Sequence, residues 1–197
     1  MKNFTSVSDI LINGLTLSQS IDQYIDKAIA YKLDPWKDVA LGKQKRIGLI
    51  FLNPSLRTRL STQIAAQQLG MQAIVFNIGS DGWSWELEDG AVMEGGSVEH
   101  IKDAVPVLSS YFDVLAIRTF PELKDRNVDY SENVLHSFLK YSTVPVISLE
   151  SATLHPLQSF ADLITIQQSV QKKQPKIALI WAPHIKAILG CFFCTDC

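Results

Sequence analysis

Residues 47–51, Ile-Gly-Leu-Ile-Phe, are apolar without alternation, and Asn53-Pro54-Ser55-Leu56-Arg57-Thr58-Arg59 follows almost at once. A strand with no polar face has to be covered on both sides, which is the condition of a buried parallel strand in an α/β domain. Residues 60–69, closed by Gly70, read as the helix that follows. Residues 55–59 then occupy a strand-to-helix turn, where backbone N–H groups and the positive end of the helix dipole meet an anion. Arg57 and Arg59 oppose that dipole, which favours acidic residues in the first turn. Their guanidinium forks, with the hydroxyls of Ser55 and Thr58, suit a phosphate. On local pattern alone the alternative is a Ser55 cap followed by two solvated arginines.

The remaining segments repeat the alternation. Leu17, Ile21, Tyr24, Ile25, Ala28 and Ile29 fall at helical spacing and predict a helix over Leu17–Leu33, ended by Asp34-Pro35. Further strands are expected at 72–78, 114–117 and 145–149. Further helices are expected at 97–111 with Ser97 as cap, at 131–140 and at 157–171, with a polar loop at 119–129. The fold class is α/β, a parallel sheet with helices on both faces and right-handed crossovers. Arg118 ends the third strand and Glu150 the fourth, at the sheet edge where open parallel sheets bind ligands. The turn after Glu150 carries His155-Pro156-Leu157-Gln158; His155 by itself reads as a packing histidine at a helix start, and His100 as a surface or packing one. The glycine-rich loop 79–96 holds Trp83 and Trp85 and is longer than a connector requires. Either its tryptophans fold back on their own core or the loop serves a site.

A net charge of −2 and a pI near 6.1 speak against nucleic acid as a partner. Residues 1–10 contain no signal-like apolar region and no later run approaches membrane-spanning length, so a cytoplasmic protein without a membrane partner is expected. Cys191, Cys194 and Cys197 all fall in the last seven residues. Structural zinc takes four ligands and only His184 lies near enough in sequence to be the fourth, so no metal site is expected.

Ser55-Leu56-Arg57-Thr58-Arg59 after one strand and His155-Pro156-Leu157-Gln158 after another resemble the two signatures of the aspartate and ornithine carbamoyltransferases. The Ser-Leu-Arg-Thr-Arg form is similar to the branch acting on N-acylated ornithine, although the commoner form has Thr where this chain has Leu56. The resemblance implies carbamoyl transfer from carbamoyl phosphate to the δ-amine of an N-acylated ornithine, a step of arginine biosynthesis needing no cofactor. It implies carbamoyl-phosphate contacts from Ser55, Leu56, Arg57, Thr58, Arg59, Trp83, Arg118, His155 and Gln158. On the same resemblance Arg118, His155 and Gln158 would carry the catalytic role toward the carbonyl oxygen. Val98, Glu150 and His184 fall at amino-acid-binding positions, and Val98 stands where acetylornithine enzymes carry glutamate. Loss of that acid favours N-succinylornithine over N-acetylornithine.

The resemblance further implies a homotrimer in which Trp83 serves a neighbouring site. Residues 1–150 would form the carbamoyl-phosphate-binding domain, 151–173 an interdomain segment and helix, and 174–197 the start of an amino-acid-binding domain, with a strand at 176–181. The likeness stops near Ile188, so residues 189–197 are expected to be out of frame and the chain by itself inactive. Ornithine carbamoyltransferase, or a non-catalytic fragment that binds carbamoyl phosphate or phosphate, are the alternatives.

Overall fold

The computed structural model describes residues 3–88, 90–93, 96–170 and 175–178. In chain order come α1 (Leu17–Leu33), β1 (Arg46–Phe51), α2 (Leu56–Gln68), β2 (Gln72–Asn77) and the short strands β3 (Trp85–Glu86) and β4 (Glu99–His100). There follow α3 (Ile101–Tyr111), β5 (Val114–Arg118), α4 (Arg126–Ser131), α5 (Asn133–Tyr141), β6 (Val146–Glu150) and α6 (Pro156–Ser169). The main sheet has the order β2-β1-β5-β6, every neighbouring pair parallel.

The unbroken apolar runs have a direct structural reason. Ile50, Leu115 and Ile117 face Val105 of α3 and Phe138 of α5, while Ile47, Leu49, Phe51, Ala116 and Leu149 pack with Ala66 of α2 on the other face. Leu49, Ile50 and Phe51 are at most 1% exposed. Burial of each such side chain is worth about 1.5–3 kcal/mol, so the sheet centre supplies much of the stability. Gly48 is part of the same packing, since a Cβ there would stand 2.7 Å from the Phe112 ring. Gly70 stops α2 at φ +76°, and a Cβ would meet the Val39 carbonyl oxygen at 2.0 Å.

The N-terminal segment covers the β6 edge. Phe4 N–H donates to the Val146 carbonyl at 2.9 Å and the Phe4 carbonyl accepts from Ser148 N–H at 2.8 Å, which blunts an otherwise open strand. Helix α1 packs against α6, with the Tyr24 and Phe160 rings 6.4 Å apart and Lys32 Nζ donating to Gln168 Oε1 at 2.9 Å. Among the described residues no helix is long and apolar enough to cross a membrane.

Several boundaries differ from the sequence expectation. Helix α2 begins at Leu56, so Arg57, Thr58 and Arg59 lie in its first turn rather than before it. Ser97 is not a cap: α3 starts at Ile101 and is capped by His100, because Glu99 and His100 pair with Trp85 and Glu86 in a second small sheet. The expected loop at 119–129 contains the start of α4, whose Asp125 cap accepts from the Asn127 and Val128 N–H groups. The helix expected at 131–140 is broken at Glu132, a residue at φ +47°. Residues 176–178 carry no strand; residues 179–181, His184, the 189–197 tail and its cysteines lie outside the described residues.

Candidate active site

Strand β1 is followed in sequence by β2 on one side and, after a crossover, by β5 on its other side. The carboxyl ends of β1 and β5 therefore flank the point where the winding reverses, which is where doubly wound sheets open a crevice. Both signatures face this edge, one after β1 and one after β6.

Ser55 is the N-cap of α2, with extended backbone and no side-chain hydrogen bond to the first-turn amides. No acidic residue lies in that turn. The helix thus presents its amides and its dipole without an internal counter-charge, together with the exposed Arg57 and half-buried Thr58 and Arg59. Leu56 is 74% exposed, so its side chain contributes no core packing.

Arg118 binds this turn to the sheet. Its Nη1 donates to the Asn53 carbonyl at 3.2 Å and the Pro54 carbonyl at 3.3 Å. Its Nε and Nη2 both reach Glu150 Oε2, at 3.0 and 2.9 Å. A register shift in the β5–β6 pairing sets Arg118 opposite Glu150, the kind of irregularity that re-aims side chains beside sites. Both residues are 8% exposed, and the guanidinium also lies over the Phe120 ring at 4.8 Å. A buried charge pair with additional carbonyl acceptors holds its geometry well.

His155 caps α6, and its Nδ1 accepts from the Gln158 N–H at 3.3 Å. An accepting Nδ1 leaves the proton of the neutral ring on Nε2, which makes that nitrogen a donor. Pro156 occupies the first helical position, where its missing N–H costs nothing. The Gln158 side chain turns along the helix and donates to Asp162 Oδ1 at 2.8 Å. A cavity of about 270 Å³ runs along the same edge, lined in part by Leu52, Asn53, Thr119, Phe120, Glu132 and Ala152.

The loop between β2 and β4 divides its two tryptophans. Trp85 is core, stacked between Phe76 and Phe138 at 6.1 and 6.4 Å, whereas Trp83 is 62% exposed. His100, expected as a surface or packing residue, ties the loop down: Nδ1 accepts from Lys102 N–H and Nε2 donates to the Glu88 carbonyl at 3.0 Å. Val98 is 64% exposed on the same loop, its N–H donating to the Ser84 carbonyl at 3.1 Å. Asp81 accepts from the Asn77 N–H and side-chain amide at 2.8 and 2.6 Å. Those bonds first, then Ser80 and the nearby positive charge of Arg59, hold its carboxyl below the usual carboxylate range. Neither Asp81 nor Glu132 stands in a recognisable motif, because their partners are set by the folded loops.

The aspartate/ornithine carbamoyltransferase, carbamoyl-P binding domain, matches residues 9–168. The chain belongs to the aspartate/ornithine carbamoyltransferase family. It is 44% identical over 184 residues to the N-succinylornithine carbamoyltransferase of Bacteroides thetaiotaomicron, covering 93% of this chain and 55% of that protein. Against the N-acetylornithine carbamoyltransferase of Xylella fastidiosa it is 42% identical over 149 residues, 74% of this chain and 44% of the relative. A solved glutamate-to-valine variant of N-acetyl-L-ornithine transcarbamylase, complexed with carbamyl phosphate and N-succinyl-L-norvaline, superposes with a TM-score of 0.76 at 38% identity. That match covers 85% of this chain and 48% of the solved one. The chain spans about half the length of the curated relatives it matches.

Proposed function

We propose that this chain forms the carbamoyl-phosphate half of an enzyme that carbamoylates the δ-amine of an N-acylated ornithine, with N-succinylornithine favoured over N-acetylornithine. The observation that carries the reading is Arg118, a buried guanidinium hydrogen-bonded to the turn that opens α2. That contact sets a carbonyl-directed charge beside an anion-directed helix end, as the mixed anhydride carbamoyl phosphate requires.

In this reading the phosphate lies on the α2 amides with Ser55, Arg57, Thr58 and Arg59, which neutralise it as a leaving group. The carbamoyl oxygen points to Arg118, Gln158 and the Nε2–H of His155, donors that strengthen as the oxygen gains negative charge. The amine attacks the carbonyl carbon, the C–O bond to phosphate breaks, and the amine proton leaves with the departing phosphate or water. An alkyl amine of pKa ~10.4 is mostly protonated at neutral pH, so the site must receive its neutral form. Fixing both substrates in one assembly supplies a large share of the rate. Turnover is assigned to a chain of the relatives' full length; for these 197 residues the expected behaviour is binding.

Trp83, exposed on its loop, is assigned to a neighbour's pocket in a homotrimer. Glu150 and His184 are assigned to the amino acid, and Val98 to the acyl end, where a second carboxylate meets no acid. The acyl assignment is tested in a full-length protein by comparing N-succinylornithine, N-acetylornithine and ornithine at fixed carbamoyl phosphate. Val98→Glu is expected to lower succinylornithine use relative to acetylornithine by about 10-fold, the effect of about 1.4 kcal/mol. An unchanged ratio removes Val98 from the acyl site, and a preference for free ornithine replaces the acylornithine reading altogether.

A further inference from the structure

Glu132 separates α4 from α5 at φ +47° and ψ +34°, a left-handed conformation that is unfavourable for a residue carrying a Cβ. Glycine or asparagine would serve a helix break at less cost. What Glu132 has instead is a carboxylate whose Oε1 receives donors from elsewhere in the chain. Ser151 Oγ donates to it at 2.5 Å, Thr153 N–H at 2.8 Å and Thr153 Oγ1 at 2.8 Å.

These donors belong to one tight turn. Ser151 N–H donates to the Leu154 carbonyl at 2.8 Å and Leu154 N–H to Ser151 Oγ at 3.1 Å. The turn begins directly after Glu150, which holds Arg118, and ends directly before His155, which caps α6. Ser151 and Ala152 within it are buried. Glu132 also lines the cavity beside Leu52, Asn53 and Phe120. A strained residue therefore spends its carboxylate on the four-residue link between two members of the site.

We propose that Glu132 is a positioning residue, its carboxylate fixing the 151–154 turn and through it the aim of His155 and the placement of Glu150 on Arg118. The role rests on the functional reading above, while the geometric part can be measured without it. Glu132 closes α4 and opens α5, yet its side chain makes no capping hydrogen bond to the first turn of α5. Helix termination alone does not account for Glu132.

The test uses the 197-residue chain with three substitutions. Glu132→Gln keeps an acceptor oxygen, Glu132→Gly removes the carboxylate while relieving the backbone strain, and Thr153→Val removes one side-chain donor from the opposite side. Each is followed by amide and histidine-ring NMR and by calorimetric titration with carbamoyl phosphate, after a thermal melt. The glycine variant is expected to fold at least as well as the wild type, to move the Gln158 amide and His155 ring resonances, and to bind carbamoyl phosphate about 10-fold more weakly, the scale of one hydrogen bond to a charged group. Thr153→Val is expected to move the same resonances less, and Glu132→Gln to stay near wild type. Wild-type resonances and affinity in both Glu132→Gly and Thr153→Val would overturn the proposal. If the wild type itself does not bind carbamoyl phosphate, the functional reading falls and the Gln158 and His155 resonances alone decide whether Glu132 positions the turn.

Discussion

The Arg118–Glu150 pair joins two residues that the family resemblance assigns to different substrates. Arg118 is the expected carbonyl donor and Glu150 an amino-acid contact, yet the carboxylate receives both Nε and Nη2 of the guanidinium. Their separation of 32 residues hid this, although both were recognisable as strand ends. Glu150 thus sets the orientation of Arg118 as well as any contact it makes with substrate. Removing one member of a buried ion pair leaves the other uncompensated, typically costing about 3–5 kcal/mol. Glu150→Ala is expected to lower the unfolding free energy by about 3 kcal/mol in urea titrations. The double variant Arg118→Met/Glu150→Leu should recover most of that loss while failing to bind carbamoyl phosphate. A double variant that still binds removes Arg118 from the site.

At the scale of elements, strands were legible because burial on both faces leaves runs of apolar residues, and α1 because its apolar spacing is helical over all of Leu17–Leu33. The errors share a cause. Arg57, Thr58 and Arg59 give the first turn of α2 no apolar period, and the β3–β4 pairing that shortens α3 is made between residues far apart in sequence. Glu132 breaks the expected helix with no glycine or proline to announce it. The first two also mark the candidate site: anion-facing turns are polar by need, and loops that reach outward take their shape from partners elsewhere. Strand starts are held by a more ordinary device, in which Asp113 at the head of β5 accepts from Lys45 Nζ and from Arg46 N–H, each at 2.8 Å. The Lys45 bond first, then the Arg46 amide, holds the Asp113 carboxyl below its usual range. Because the folded value is depressed, the stabilisation is present above the unfolded pKa of about 3.9 and is lost as pH falls through the folded one. The wild type is therefore expected to lose melting temperature faster than Asp113→Asn on acidification from about pH 5 to about pH 3. Parallel curves would show that the clamp does not contribute.

For the molecule as a whole, the described part is a sheet with two covered faces and an apolar exterior on one helix. Leu56, Leu60 and Ile64 are each at least 50% exposed and recur every four residues along α2, a stripe of the kind that packs against another chain. With Trp83 exposed on its loop, this supports the proposed trimer. Light scattering is expected to give the mass of three chains, and Leu60→Glu/Ile64→Lys to give that of one. A monomeric wild type would return Trp83 to the protein's own surface. The central claim, that the start of α2 and the end of β5 form one carbamoyl-phosphate site, is tested most directly by calorimetric titration of carbamoyl phosphate into the 197-residue chain and its Arg57→Ala variant. The account predicts saturable one-to-one binding, competed by inorganic phosphate and weakened by about 10-fold or more in Arg57→Ala, in line with loss of a charge-assisted contact. No binding, or equal binding by the two proteins, would contradict it.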